Sequence, residues 1–219
     1  MSANQVEMLD HAAVTFAVLG LLLYQEPKAS RIEGLLQDDF FARLPFAGDN
    51  PLVVEGQQEL QAWVKAAVSH SVDESLAELK REWLRLLVGY GEPEAPPWAA
   101  YYYEKDPVIF GQKTLEVRRW YARYGLELER KYKEPDDHLG IMLQFLSTLI
   151  AKECETIRAG DSTTALEIAV DQEKFLKTNV TPWVGHWQAL MTDAAKSPFY
   201  RGIALLIHGA LQTYSPRFS

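Results

Sequence analysis

Apolar residues recur at intervals of three and four along most of the chain, which is the spacing of a helix with one buried face. The clearest stripe consists of Leu76, Leu79, Trp83, Leu86 and Leu87. It follows a helix start at Asp73 and is broken at Gly89-Tyr90-Gly91. Stretches that alternate apolar and polar residues, as half-buried strands do, are missing from the sequence. The pattern predicts helix for most residues between 3 and 212 and essentially no sheet.

Proline, glycine and capping residues divide this pattern into separate helices. A second helix is expected from Ser30 to about Arg43, followed by a loop at residues 44–51. Gly125 ends one later helix, and a long helix with Pro135 in its first turn ends at Gly160. Further helices are expected near residues 162–178, 183–195 and 198–212. We therefore predict an all-α fold, a single globular bundle of about eight or nine helices that forms one domain over residues 1–219.

The longest apolar run, residues 12–23, resembles a membrane segment at first sight. It is shorter than the roughly 20 residues that span a bilayer. Glu7 and Asp10 precede it, where a secretory signal would carry basic residues. The chain of 219 residues is 47% hydrophobic and 24% charged, which is typical of a globular protein. We interpret the run as a buried helix of a cytoplasmic protein, without stable membrane insertion.

The charge balance restricts the classes of partner. Lys and Arg number 22 against 30 Asp and Glu, so the formal net charge is -8. Proteins that bind phosphate backbones need clustered basic residues, so this balance argues against nucleic acid and favours cationic partners. Cys154 is the only cysteine of the sequence, which excludes an internal disulfide. The histidines lack the spacing of metal ligands, and we predict neither a metal nor a cofactor. They are His11, His70, His138, His186 and His208.

Catalytic motifs are also missing. The sequence has no HExxH, no GxSxG, no phosphate-binding loop and no dinucleotide fingerprint, so we predict no catalytic residues and a protein that is not an enzyme. One alternative stays open, a small helical enzyme that acts on nucleotide or cofactor phosphates, and nucleotide turnover would identify it. Another is a structural adaptor, which would bind a folded surface.

Aromatic residues are concentrated between residues 83 and 132, which hold 11 of the chain's 25. They are Trp83, Tyr90, Trp98, Tyr101, Tyr102, Tyr103, Phe110, Trp120, Tyr121, Tyr124 and Tyr132. Residues 89–107 within this stretch form a connection with four prolines, and long irregular connections are usually functional. For Trp98 and residues 101–103 we favour contact with a partner, because Trp and Tyr dominate interface anchors. For the helical Trp83, Trp120 and Tyr124, a core position is an equal alternative.

The second candidate feature is the acidic segment Glu134-Pro135-Asp136-Asp137-His138. Three carboxylates around a rigid proline are suited to receive a guanidinium group. Our hypothesis is that Asp137 and His138 recognise a basic peptide segment, while Glu134 and Asp136 support the helix start. Helix capping, with a histidine held by a neighbouring carboxylate, is the alternative. The segment alone does not decide between them.

An ordered set of motifs carries a family resemblance. It consists of Trp83-Leu84-Arg85-Leu86-Leu87-Val88-Gly89, Ala95-Pro96-Pro97-Trp98, Phe110-Gly111, Glu134-Pro135-Asp136-Asp137-His138-Leu139-Gly140 and Ser197-Pro198-Phe199-Tyr200-Arg201. In this order and spacing, the set resembles the TorD/DmsD family of maturation chaperones for molybdenum-containing reductases. It is most similar to the DmsD branch, whose members bind twin-arginine leaders. The resemblance covers most of the chain, and residues 83–140 are its most specific part.

The resemblance implies an all-helical cytoplasmic chaperone that proofreads a client before export through the Tat pathway. The implied partners are the twin-arginine signal peptide and the catalytic subunit of a molybdenum-cofactor reductase of the DMSO or TMAO reductase type, with Tat translocase components as further candidates. It also implies contact with guanine nucleotides and either a monomer or a domain-swapped dimer. The peptide-binding residues expected from the resemblance and the acidic segment are Tyr24, Trp83, Leu86, Leu87, Tyr90, Pro97, Trp98, Glu134, Asp136, Asp137 and His138.

The chain departs from the family pattern at a few of these positions. Leu87 stands where an aromatic residue is common, and Ala100 stands where a serine often follows. Tyr101 and Tyr102 replace a Val-Trp pair. We expect these changes to remove a hydroxyl contact and to tune which leader is preferred.

Overall fold

A computed structural model describes residues 3–37, 40–41, 44, 49–89, 91–103, 110–128 and 134–218. Its helices are α1 Ala3–Tyr24, α2 Ala29–Leu35, α3 Pro51–Ala67, α4 Val72–Trp83, α5 Ala100–Tyr103, α6 Gln112–Arg123, α7 Leu139–Arg158, α8 Ser162–Phe175, α9 Thr181–Ala194 and α10 Pro198–Tyr214. Two π-helical segments, Leu84–Val88 and Leu176–Val180, continue α4 and α8, and a 3-10 turn, Ser215–Phe218, follows α10. Over the described ranges there is no strand, only a single bridge between Trp98 and His138. The prediction of an all-α fold is confirmed.

The chain divides into two compact units. One comprises Met1–Tyr24, Pro97–Val184 and Arg217–Ser219, and the other comprises Gln25–Pro96 and Gly185–Pro216. The prediction of a single domain over residues 1–219 therefore stays a prediction.

The first unit is built on α7, which packs against both α1 and α8. Apolar side chains of α1 such as Phe16 and Leu23 are fully buried, as are Leu146 and Leu149 of α7. By length and composition, Gln5–Tyr24 could cross a membrane, which corrects the expectation from the shorter run of residues 12–23. Half of an 18-residue window within this helix is buried inside the fold.

The second unit is built on the pairing of α3 with α10. Trp63 of α3 and Phe199 of α10 lie with ring centroids 4.8 Å apart, and Phe41 contacts both rings. The N-terminus of α10 is held from α4, because the Glu82 carboxylate accepts hydrogen bonds from the backbone N–H groups of Lys196 and Ser197. The Glu82 carboxylate thus serves as the acceptor for backbone N–H groups that have no partner at the start of a helix.

Two helix boundaries differ from those expected. The helix predicted from Ser30 to Arg43 ends at Leu35. The Leu36 amide still donates to the Ile32 carbonyl, but the Gln37 amide closes a tighter turn on the Gly34 carbonyl. The break expected between residues 178 and 183 is helical, because the chain runs from α8 to α9 through the π-helical segment. Pro182 has no N–H to give to the carbonyl of Thr178. That carbonyl instead accepts from the Tyr103 hydroxyl at 2.8 Å and from Lys113 Nζ at 3.1 Å.

Candidate functional site

The acidic segment at 134–138 precedes α7 and is not part of it. His138 is the N-cap residue, and its Nδ1 accepts a hydrogen bond from the Gly140 amide at 3.0 Å. The expectation that Pro135 occupies the first helical turn is therefore wrong. The support of the helix start that we assigned to Glu134 and Asp136 is also wrong, because an imidazole performs the capping. Residues 134–138 are a loop, which leaves their side chains to other partners.

Both aspartates of this loop are buried and bonded to other elements. Asp137 is fully buried, and its carboxylate accepts from the Thr114 hydroxyl at 2.7 Å and from the Ala100 amide at 2.8 Å. Asp136 Oδ2 accepts from Nε of Arg118 at 3.1 Å and from a terminal nitrogen of the same guanidinium at 2.6 Å. The charge of Asp136 is thus paired internally.

The proline-rich connection is tied to the same loop by main-chain hydrogen bonds. The Leu139 amide donates to the Pro97 carbonyl at 2.7 Å, and the Ala99 amide donates to the Asp137 carbonyl at 3.0 Å. Trp98, which lies between these bonds, is half-buried and donates from Nε1 to Glu134 Oε1 at 3.0 Å. Two segments that are far apart in sequence therefore form one small surface.

His138 lies between two aromatic rings. Its ring meets those of Tyr24 and Trp98 edge to face, with centroid separations of 5.2 and 6.1 Å. Burial lowers the pKa of His138 to about 3, so the imidazole is neutral at physiological pH. The structure therefore gives no support to a charge switch near neutral pH at this position.

Burial also acts on the carboxylates of the loop. It raises the pKa of Asp137, against the opposing effect of the hydrogen bonds from Ala100 and Thr114. It raises the pKa of Glu134 as well, with an opposing effect from the Trp98 hydrogen bond. Glu134 is only partly buried, in contrast to the two aspartates. Of the three carboxylates, it is the one within reach of an external ligand.

The other expected site residues lie in the second unit, except Tyr90, which falls outside the described residues. Leu86 and Leu87 are buried in the π-helical segment, and Trp83 is half-buried at its start. The segment's carbonyls are satisfied by the loop that follows, since the Ala95 amide donates to the Leu86 carbonyl at 2.9 Å. Such wide helical turns are frequent at functional sites.

The remaining aromatic residues of the 83–132 stretch divide between core and surface. The rings of Trp120 and Tyr124 pack on Phe175 and Phe145, which supports the core alternative for both. Tyr102 stacks on Trp183, with ring centroids 4.7 Å apart. The ring of Tyr103 is 43% exposed, which leaves it accessible to a partner.

Sequence reasoning did not identify the polar face of α6. Thr114 and Arg118 bind the two aspartates, and the Tyr121 hydroxyl donates to the Asp136 carbonyl at 2.7 Å. These positions are four and three residues apart, which places them on one side of a helix. Thr114, Arg118 and Tyr121 recur at the helical spacing that marks one face, and this recurrence is the signal by which the sequence could have revealed them.

Metal ligation has no candidate in the part of the chain that the structure describes, where no group of three His, Cys, Asp or Glu side chains could hold an ion. Cys154 is buried, and this burial raises the pKa of its thiol to about 12, so it carries no reactive thiolate.

Comparisons with known proteins show what the chain is similar to. Residues 50–189 match the family model described as nitrate reductase delta subunit. The chain is 28% identical over 201 residues to the Tat proofreading chaperone DmsD of Salmonella typhimurium, covering 90% of this chain and 85% of the relative. It is 22% identical over 210 residues to the probable Tat proofreading chaperone DmsD of Haemophilus influenzae, covering 94% and 91%. To the chaperone protein TorD of a Psychrobacter species it is 30% identical over 133 residues, covering 60% and 58%.

Proposed function

This chain belongs to the TorD/DmsD family of redox-enzyme maturation chaperones, and we propose that it binds the twin-arginine signal peptide of a molybdenum-cofactor reductase. In this proposal it holds the catalytic subunit in the cytoplasm until folding and cofactor loading are complete, before export through the Tat pathway. The client is of the DMSO or TMAO reductase type, and Tat translocase components are further candidate partners.

One observation carries the proposal, the surface that Trp98 and Glu134 form over the buried ring of His138. The half-buried indole donates a hydrogen bond to the partly exposed carboxylate, and the neutral imidazole meets the indole edge to face. A twin-arginine leader offers guanidinium groups followed by an apolar stretch. The carboxylate complements the first and the aromatic rings complement the second.

The residues proposed to form this site remain those expected from the sequence. In the first unit they are Tyr24, Pro97, Trp98, Glu134, Asp136, Asp137 and His138. In the second unit they are Trp83, Leu86 and Leu87, and Tyr90 lies outside the described residues. We propose no catalytic residue, no resident metal and no cofactor. The names of the relatives, which are chaperones, support a role without catalysis.

The proposal is tested by titrating the full chain with synthetic leader peptides from several molybdoenzymes, each paired with a version in which both arginines are glutamine. Saturable binding to at least one leader, with loss for its glutamine version, is the expected result. Absence of binding to every leader, or turnover of an added nucleotide, would favour the alternative of a small helical enzyme. Running the same titration on monomer and dimer fractions from gel filtration identifies the active oligomer.

A further inference from the structure

Three side chains of α6 lie behind the proposed site. We propose that Thr114, Arg118 and Tyr121 are positioning residues of the leader-binding surface, and that they withdraw Asp136 and Asp137 from direct contact with the leader. The carboxylate that receives an arginine is then Glu134. The inference rests on the proposed function, since it divides the residues of that site into those that touch the peptide and those that hold them in place.

Asp137 is the first reason for this division. One carboxylate oxygen accepts from the Thr114 hydroxyl at 2.7 Å and the other accepts from the Ala100 amide at 2.8 Å. The residue has no exposed surface, so an external guanidinium would have to displace both partners to reach it. Its function in this geometry is to join the proline-rich connection to α6.

Asp136 is held by a second set of bonds from the same helix. Two nitrogens of the Arg118 guanidinium converge on Oδ2, and the Tyr121 hydroxyl donates to the backbone carbonyl of Asp136. Arg118 therefore already occupies the carboxylate of Asp136, a residue that is only 2% exposed. Exchange for a leader arginine would take Asp136 away from the partly buried Arg118 guanidinium, so it is unfavourable.

Glu134 differs from both aspartates. It is partly exposed, and within the described part of the chain its side chain accepts one hydrogen bond, from Trp98 Nε1 to Oε1. A carboxylate has about four acceptor positions, so this bond leaves capacity for a guanidinium. The same bond places the acceptor beside the indole ring, which suits the flat face of an arginine side chain.

The bonds of α6 determine where this pair lies. Thr114 fixes Asp137, Asp137 fixes the Ala99 and Ala100 amides, and Trp98 immediately precedes those amides. Arg118 and Tyr121 fix the loop at Asp136, two residues after Glu134. Loosening the attachment at Asp137 or the one at Asp136 therefore moves Trp98 away from Glu134. Both side chains that touch the peptide are still present.

The experiment compares Thr114→Val and Arg118→Met with two matched controls. Thr148→Val removes a hydroxyl that bonds only within its own helix, to the Gln144 carbonyl, and Arg123→Met removes an exposed α6 arginine paired with Asp171. For each folded variant, calorimetry gives the affinity for a leader and for its double-glutamine version. Hydrogen exchange of the Ala99 and Ala100 amides reports the attachment directly.

We expect both α6 variants to bind each leader about fivefold to thirtyfold more weakly, the effect of one or two lost buried hydrogen bonds. Both leaders should lose affinity, and the arginine leader should lose more, because only the arginine leader uses Glu134. Exchange at Ala99 and Ala100 should quicken, and Thr114→Ser should restore both affinity and exchange. The controls should match the wild type in affinity and exchange.

Several results would overturn the inference. Wild-type affinity and exchange in folded Thr114→Val and Arg118→Met would do so. Tighter binding of the arginine leader by Arg118→Met would also do so, because the Asp136 carboxylate freed by this change would then be the acceptor. If the wild type itself binds no leader, the proposed function fails, while unchanged exchange in Thr114→Val would separately refute the positioning role.

Discussion

The carbonyl oxygen of Gly140 lies 2.6 Å from the point that a Cβ on Gly20 would occupy, so α1 and α7 cross backbone against backbone. A Cβ on Gly140 would in turn meet the Gly20 carbonyl at 2.7 Å and Tyr24 Cβ at 2.8 Å. Real Cβ atoms do not approach backbone so closely, so one helix would have to move. This crossing holds Tyr24 of α1 against His138, at the N-terminus of α7.

The crossing predicts that Gly140→Ala destabilises the protein, although alanine favours helices more than glycine does. We expect a loss of about 1–3 kcal/mol in the free energy of unfolding, the usual effect of overpacking. Gly34→Ala is the matched control, since a Cβ there meets nothing within 4 Å. It should be neutral or stabilise by up to about 1 kcal/mol. Urea unfolding measures both, and equal effects would contradict the interpretation of the crossing.

The close crossing also shows what the sequence could and could not predict. Helical periodicity predicts α3, α4, α6, α7 and α10, and the structure confirms them. Nothing local shows that Gly20 and Gly140 meet, because they are distant in sequence.

The contacts of the candidate site likewise join residues that are distant in sequence. The motif Glu134-Pro135-Asp136-Asp137-His138 was identified, but its internal partners were not. Burial of Asp136 and Asp137 depends on Thr114 and Arg118, which belong to another helix. A cluster of carboxylates looks accessible in a sequence, and tertiary contacts decide which of them face solvent.

Trp98 provides a test of the aromatic part of the surface. Trp98→Ala should weaken leader binding by about 1–3 kcal/mol, the range for a central aromatic anchor. Trp98→Phe keeps a ring but loses the donor to Glu134 Oε1, so it should retain part of the affinity. Calorimetry with one leader gives the affinities, and thermal unfolding shows whether stability changes. If Trp98→Ala unfolds while its folded fraction binds normally, the residue belongs to the core.

Two isosteric substitutions distinguish a residue that contacts the leader from a residue that holds the site in place. Glu134→Gln removes a charge but can still accept from Trp98, so it should weaken binding of a twin-arginine leader by about 1–2 kcal/mol. Binding of the double-glutamine leader should hardly change. Asp137→Asn should instead weaken binding of both leaders and lower the melting temperature, because the carboxylate is buried and bonded internally. The opposite pattern, in which Asp137→Asn alone discriminates between leaders, would return arginine recognition to Asp137.

A buried ion pair ties the C-terminal residues into the first unit. The Arg217 guanidinium bonds both oxygens of Glu153, at 3.0 and 2.5 Å, and Gln172 donates to the same carboxylate at 2.8 Å. Arg217→Met leaves Glu153, which is 2% exposed, without its counter-charge. We expect a loss of about 3–5 kcal/mol in the free energy of unfolding.

The control for this prediction is Arg158→Met, which removes an exposed pair with Asp10. Its cost should stay below about 1 kcal/mol. Adding Glu153→Gln to Arg217→Met should recover part of the lost stability, because the unpaired charge is then gone. Equal losses in the two arginine variants would show that the Arg217 pair is not buried in solution.

His138 predicts how stability depends on pH. Its pKa is lowered from 6.5 to about 3 by burial, so the folded protein keeps a neutral imidazole that the unfolded chain protonates below about pH 6.5. Between pH 6.5 and 3 the unfolded state therefore binds more protons. Stability must fall as the pH falls, by about 1.4 kcal/mol per pH unit from this residue.

His138→Asn isolates this contribution, since asparagine can accept from the Gly140 amide as the imidazole does but does not titrate. The raised pKa values of Glu134 and Asp137 act in the opposite direction, because a folded acid that gains a proton early is favoured at low pH. Both proteins carry these acids, so their effect largely cancels in the difference. Urea unfolding from pH 7 to 4 should show the wild type losing stability faster than His138→Asn below about pH 6.5. Parallel curves would mean that His138 is protonated in the folded protein, and leader affinity would then change across the same range.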